Sequence, residues 1–274
     1  MRTIVITGGT DGMGAALARH FLRAGDRVVV IGRSRSKFRA LVATATNEDR
    51  SAATRAEHIA ADLSLVADTR RVIEHLRTDH ERIDALVLAA SFIRQHRHTT
   101  PEGHEASWAL FFLSKYLLVT GLATLLQAAE RPVVANTAVP GARPDAIDFD
   151  DLQMVSGFTF KRSNAQQRRA NELLGILATD QIPNLAYVTW GPTRLVRSSF
   201  AGDLSTGMKA ASTILGTLIG QRPEAAILPI TDIIDAPAPG RAAYRGGRKL
   251  SLTVGDHDEK DAARLAAAID DDLR

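Results

Sequence analysis

The chain of 274 residues contains no cysteine. Disulfide bonds, thiolate nucleophiles and zinc sites built on sulfur are thereby excluded, while little is said about compartment. Aromatic residues make up only 5% of the chain, and no block of lysine and arginine is interleaved with them. Nucleic acid is therefore not an expected partner, because such binding wants a basic face with stacking platforms. Net charge is a small +3, too little for strong steering by one sign of charge. A membrane partner is not expected either. The longest apolar stretch, Trp108 to Leu126, is interrupted by Ser114-Lys115-Tyr116 and reads as a buried helix rather than a span. The first strand begins at Arg2, which leaves no room for a signal peptide, so a soluble cytoplasmic protein is expected.

What is present is enough for a core. Hydrophobic residues make up 45% of the chain, and its length suits one undivided α/β domain, residues 1–274. The organising stretch is Thr7-Gly8-Gly9-Thr10-Asp11-Gly12-Met13-Gly14, set between the β-branched run Thr3–Ile6 and a helical pattern from Ala15 to Leu22. Glycines permit positive φ and close backbone approach, and the helix N-terminus offers free N–H groups and a favourable dipole to a pyrophosphate. The spacing is T-G-x-x-x-G-x-G, and with βα units following it reads as a dinucleotide site.

A second strand, Arg27–Ile31, ends at Gly32-Arg33-Ser34-Arg35. At this strand end an acid would bind a free ribose 2′-OH. Arg33, with Arg35 or Lys37 nearby, suits a 2′-phosphate instead, so NADP is the expected cofactor. A third strand, Glu57–Ala61, leads to Asp62-Leu63-Ser64 and a helix Leu65–Arg77, where Asp62 can accept from an adenine amino group or cap the helix with Ser64. The fourth, Ile83–Leu88, ends in small residues, Ala89-Ala90-Ser91, which let a flat cofactor lie close to the backbone. Then come a long helix from about Pro101 to Ala129, started by Thr100-Pro101-Glu102, a strand Val133–Thr137, and a second long helix from Lys161 to Asp180. A strand Leu185–Trp190 ends at Gly191-Pro192-Thr193. A helical segment around Met208–Ile219, a last strand near Arg248–Thr253 and a polar helix from Asp258 complete the chain.

These landmarks together resemble the short-chain dehydrogenase/reductase family over nearly the whole length. Thr7, Gly8, Gly12 and Gly14 fall on its glycine motif, Asp62-Leu63 on its adenine-contacting motif, and Ala89-Ala90-Ser91 on its Asn-Ala-Gly segment. The passage from Thr99 to Thr120 is similar to the retinol-dehydrogenase-like branch. The resemblance implies a doubly wound Rossmann-type sandwich with a seven-stranded parallel sheet, order 3-2-1-4-5-6-7, a substrate-covering segment near 191–240, and homodimers or homotetramers through the two long helices. It also implies contacts to the cofactor from Thr7 through Gly14, from Arg33 and Ser34, and from Pro192 and Thr193.

The chemistry departs from that pattern. The family's Tyr-x-x-x-Lys pair falls on Asn164 and Arg168, or on Phe160 and Asn164 in another register. Its helical Asn falls on Phe111, and its Ser on Thr137 or Ala138. Neutral Asn cannot act as a general acid, and Arg holds its proton too tightly. Thr137, Asn164 and Arg168 are the catalytic candidates that remain. Tyr116 and Tyr187 read as core, and Lys115, one turn beyond Phe111, could point into the site but reads more readily as a surface or interface lysine. His96, His98 and His104 show no metal-ligand pattern, so no metal is expected. Phe92, Phe111, Trp190, Leu195 and Phe200 suggest either a pocket for a small hydrophobic organic substrate or ordinary core. The expected function is an NADP(H)-dependent oxidoreductase with an altered proton path through water, Thr137 or the substrate. The alternatives are a cofactor-retaining non-redox enzyme for isomerisation, dehydration or cyclisation, with Arg168 as electrostatic stabiliser, and a non-catalytic NADP-binding protein.

Overall fold

Short runs of valine, isoleucine and leucine with no polar alternation make strands that must be covered on both faces. In the computed structural model, which describes residues 1–92, 94–194, 196 and 220–273, they form one sheet. Its strands are β1 (Thr3–Thr7), β2 (Arg27–Ile31), β3 (Ala56–Ile59), β4 (Ala85–Leu88), β5 (Val133–Asn136), β6 (Ala186–Gly191), β7 (Gly240–Arg245) and β8 (Arg248–Leu250). The order is β3-β2-β1-β4-β5-β6-β7-β8. All neighbours pair in parallel except β7 and β8. The doubly wound sandwich is as expected, with one addition. The seventh strand is Gly240–Arg245, and the stretch expected as the last strand is its antiparallel return. Gly246, at φ 57°, makes the two-residue turn that reverses the chain.

Helices cover both faces: α1 (Gly12–Arg23), α2 (Arg35–Glu48), α3 (Ala52–Arg55), α4 (Val66–Asp79), α5 (Ala106–Trp108), α6 (Ser114–Gly121), α7 (Ala123–Gln127), α8 (Phe160–Gln181), α9 (Pro223–Ala226), α10 (Leu228–Asp235) and α11 (Asp258–Asp272). One buried cluster joins Leu17, Phe21 and Trp190 to one face of the sheet. The other joins Leu76, Phe112, Leu173 and Leu265 to the opposite face. Trp190 is thus core, its Nε1 donating to the Gly246 carbonyl at 2.9 Å, and not a pocket residue.

The first long helix differs from expectation. It starts at Ala106, where the buried Glu105 carboxylate accepts from the Ser107 and Trp108 N–H groups. Thr100 to His104 form a turn, and the exposed Glu102 instead reaches across to accept from the Val66 and Ala67 N–H groups at the start of α4. Asp62, for which capping α4 is one of two expected roles, folds its carboxylate back on Ser64 instead. Between α5 and α6 the helix runs through a π turn, Ala109–Leu113. Such turns recur at functional sites.

The apolar run Trp108–Leu126 is covered within the chain. Ala262, Leu265 and Ile269 of α11 share a buried cluster with Tyr116, Leu173 and Ile176, and Tyr116 donates to Asp270 at 3.1 Å. Arg169, fully buried on α8, bonds Asp258 at the start of α11, Glu172 and the Pro144 carbonyl. The expected helix around Met208–Ile219, part of the segment near 191–240, and Leu195 and Phe200 lie outside the described residues.

Candidate active site

The strand order turns back on itself between β1 and β4, and the crevice beyond the carboxyl ends of such strands is where a doubly wound sheet takes a ligand. A cleft of about 390 Å³ lies there. Its walls are the glycine turn and the loops after β2, β3 and β4. Gly8 sits at φ 66° with its N–H on the Ile31 carbonyl, and a Cβ there would lie 2.7 Å from the Ala90 Cα. A Cβ at Gly14 would lie 2.3 Å from the Gly8 carbonyl oxygen. Only glycine closes this turn.

Thr10, Asp11, Gly12, Met13, Gly14, Arg33, Ser34, Asp62, Leu63, Ala89, Ala90, Ser91 and Pro192 all border the cleft, as does Gly8. Three of the expected contacts do not. Thr7 is buried behind it, its hydroxyl accepting from the Ala89 and Ala90 N–H groups, so it ties β1 to the end of β4. Gly9 packs beneath the turn against Val30 and Ile6, and Thr193 faces Gly246.

The electrostatics of the cleft come from two helix starts and exposed charges. Asp11 caps α1 through the Gly12 N–H, and its other oxygen pairs with Lys37. Ser34 caps α2 through the Lys37 N–H. Arg33 is 60% exposed, lies 5.7 Å from the Phe92 ring centre and pairs with Asp62 at 3.6 Å.

A second cavity of about 230 Å³ adjoins the first, and Ser91, Phe92 and Arg94 border both. The ends of β5, the π turn, α6 and α8 build it, and Thr137, Asn164 and Arg168 all line it. Arg168, however, gives its Nε to the Val139 carbonyl and its Nη2 to the Pro140 carbonyl, both at 2.6 Å. Burial holds its pKa below the ordinary arginine value. It braces the loop after β5. Asn164 is exposed at the edge, and the Thr137 hydroxyl donates to the Leu88 carbonyl at 3.1 Å.

Lys115 takes the less favoured of its two expected places, inside the site rather than at the surface. It is 3% exposed and lines the second cavity, with its Nζ on Asn136 Oδ1 at 2.8 Å. Burial alone pushes its pKa down to about 7. Asn136, which sequence reasoning missed, is a hub at the end of β5: its Nδ2 donates to Asn171 Oδ1 at 2.6 Å and to the Tyr187 hydroxyl at 2.9 Å. Asn171 in turn donates to the carbonyls of Phe111 and Gln167. A lysine inside the apolar run Trp108–Leu126 was the available signal, since every close neighbour of such a residue is headed for the core. His104 is buried, against Gln153 and Asp272. Among the described residues no group of His, Cys, Asp or Glu could hold a metal ion, and no helix is long and apolar enough to cross a membrane.

Comparison with known proteins agrees with this architecture. A family described as short chain dehydrogenase matches residues 2–140. A Streptomyces sp. (strain C5) protein named "Putative daunorubicin C-13 ketoreductase DnrU" is 29% identical over 228 residues, covering 78% of this chain and 77% of that one. Human retinol dehydrogenase 13 is 26% identical over 151 residues, 55% of this chain and 45% of the relative. This chain thus spans less than half of the latter's length. A short-chain dehydrogenase from Sphingobium yanoikuyae, solved in complex with NADPH, superposes with a TM-score of 0.64 at 19% identity, over 98% of this chain and 96% of that one.

Proposed function

Because this chain belongs to the short-chain dehydrogenase family, we propose that it is an NADP(H)-dependent oxidoreductase that interconverts a carbonyl and an alcohol on a small hydrophobic organic substrate. The observation that carries this is the shared wall of Ser91, Phe92 and Arg94 between the cleft and the second cavity. A dinucleotide and an organic molecule in these two spaces would meet there.

The cleft's own chemistry fits the cofactor. The N-terminus of α1 suits a pyrophosphate, the small residues after β4 admit a flat ring, and Arg33 suits a 2′-phosphate. Bound there, the cofactor supplies or takes a hydride. The second cavity supplies apolar walls from Phe92, Phe111, Ala138 and Val139, which suit a hydrophobic substrate. The same reading takes residues 1–274 as one nucleotide-binding domain whose segment near 191–240 covers the substrate. In support, the chain leaves the sheet at the end of β6 and re-enters it at Gly240 beside that strand. Assembly as a homodimer or homotetramer belongs to this proposal as well, and light scattering showing a monomer at micromolar concentration rejects it.

Calorimetry with NADPH and NADH tests the cofactor. Tighter NADPH binding is expected, and equal affinities remove the argument from Arg33. A second reading, cofactor-dependent non-redox chemistry or binding alone, draws on one observation. Asn164 has no acidic proton to give, and the Arg168 guanidinium is committed to two backbone carbonyls. NADPH binding with no oxidation across a panel of hydrophobic aldehydes and ketones would favour it.

A further inference from the structure

The second cavity holds a lysine that no carboxylate among the described residues neutralises. Arg94, Lys115 and Arg168 are the charged side chains that line it, and no carboxylate does, among the described residues. Behind the lysine, β5 presents neutral Asn136, β6 presents the Tyr187 hydroxyl, which burial holds above its ordinary pKa, and α8 presents Asn171 and Gln167. The Phe111 ring centre lies 6.0 Å from Nζ. An ammonium has three N–H donors, and among the described residues Asn136 Oδ1 is the one hydrogen-bond partner it has. A buried structural lysine would be paired, because an unpaired buried charge is costly. This one is left with donors to spare beside an open space.

Its position is fixed by others. The Asn136 amide cannot flip, since its Nδ2 is committed to Asn171 Oδ1 and the Tyr187 hydroxyl, while its Oδ1 also accepts from the Ala138 N–H. Tyr187 donates to the Asn171 carbonyl, and Asn171 Nδ2 donates to the Phe111 carbonyl inside the π turn. Four elements therefore hold one acceptor in front of Nζ.

Resting on the oxidoreductase reading above, we propose that Lys115 is the proton donor and acceptor for the substrate oxygen in the second cavity, with Asn136 as its positioning residue. In reduction, the carbonyl carbon gains a hydride from a reduced nicotinamide. The π pair of the C=O bond moves to oxygen, where an O–H bond forms as one Nζ–H bond of Lys115 breaks. The neutral amine regains its proton from water. Oxidation runs the same transfers backwards. An amine whose pKa burial brings to about 7 serves both directions near neutrality. This supplies the acid that Asn164 and Arg168 cannot.

The test uses the full chain with lysine carrying ¹³C at Cε, its Lys115 signal identified by its loss in Lys115→Met or, where that variant does not fold, in Lys115→Arg. Titrated without cofactor, Lys115 is expected to turn near pH 7. With NADPH and 4-nitrobenzaldehyde, native reduction should fall above neutral pH. Lys115→Met should lower kcat by at least about a hundredfold, the range for losing a general acid, with NADPH affinity unchanged by calorimetry. A Lys115 midpoint near the ordinary 10.5 overturns the proposal even if Lys115→Met fails to fold. So does a folded Lys115→Met with kcat within threefold of native, and in both cases the cofactor reading survives. Failure of the native chain to bind NADPH or to reduce the aldehyde overturns the oxidoreductase reading and the proton step together.

Discussion

The two cavities are built on opposite plans. The cleft after β1 to β4 is made from backbone, a glycine turn and two helix starts, and its charges stand in solvent: Arg33, Lys37, Asp11 and Asp62 are all more than a third exposed. The cavity between β5, the π turn and α8 is made from side chains, and Lys115, Asn136 and Asn171 are buried. A backbone-built, solvated site changes ligand affinity when a side chain is lost and leaves the fold alone. A side-chain-built, buried site carries its chemistry in the same bonds that hold the sheet to its helices, so substitution there moves stability as well.

The largest expected effect falls on the buried side. Arg169, 1% exposed, ties α8 to Asp258 on α11 and to Glu172. Arg169→Ala leaves two carboxylates without their cation and should cost about 3–5 kcal/mol of stability, as breaking buried pairs does. Denaturant unfolding measures it, and NADPH affinity in the folded fraction should not change. A loss below about 1 kcal/mol would mean that α11 is held by its apolar face alone.

Next comes the pH dependence set by Lys115. Its pKa falls from the ordinary 10.5 that an unfolded chain keeps to about 7 in the fold. Below pH 7 both states hold the proton, and the cost of burying it is fully present. Between 7 and 10.5 the unfolded state binds more protons, so stability should rise with pH by up to about 1.4 kcal/mol per unit. Lys115→Met should remove this contribution and be more stable than the native chain at pH 6. Parallel stability profiles for the two proteins would show that the native lysine carries no such penalty.

How far each plan can be read from sequence follows from the same contrast. The cleft was legible because its parts are neighbours in the chain: Gly8 to Gly14 make one turn, and Arg33 follows directly on β2. The second cavity was not, because Lys115, Asn136, Asn171 and Tyr187 meet only after four elements have packed. Helical spacing put Lys115 one turn from Phe111 but could not say which face meets β5. Local signals also misled where a side chain serves a distant element. Thr100-Pro101-Glu102 has the form of a helix start, yet Glu102 caps α4, thirty-six residues back at Val66. The end of the sheet was shifted for another reason. Gly246-Gly247 is a hairpin signal flanked by two short strands, of which the expected last strand near Arg248–Thr253 covers only the second.

On the exposed side, Arg33→Ala should weaken NADPH binding by about 1.5–3 kcal/mol, the range for hydrogen bonds to a charged group. NADH binding and the melting temperature should hardly change. An equal loss for both cofactors would move Arg33 away from the 2′-phosphate, and a marked fall in melting temperature would break the contrast between the two sites.

The smallest effect belongs to Lys37, whose ammonium pairs with Asp11 at the mouth of the glycine turn. Both side chains are well exposed, 48% and 38%, so the pair itself contributes little to folding, about 0.2–1 kcal/mol at most. Its consequence should lie in binding. Asp11 caps α1 with one oxygen and so keeps a negative charge where the helix start would otherwise favour a phosphate. Lys37 balances that charge. Lys37→Ala should therefore weaken NADPH and NADH alike, by roughly two- to fivefold, and the loss should shrink as salt screens it. Asp11→Asn keeps a capping oxygen and removes the charge, so it should tighten both cofactors by a similar factor. Titrations of the two variants at low and high salt decide the matter. If Lys37→Ala weakens NADPH alone, the ammonium acts at the 2′-phosphate beside Arg33, and the cleft's selectivity rests on two cations rather than one.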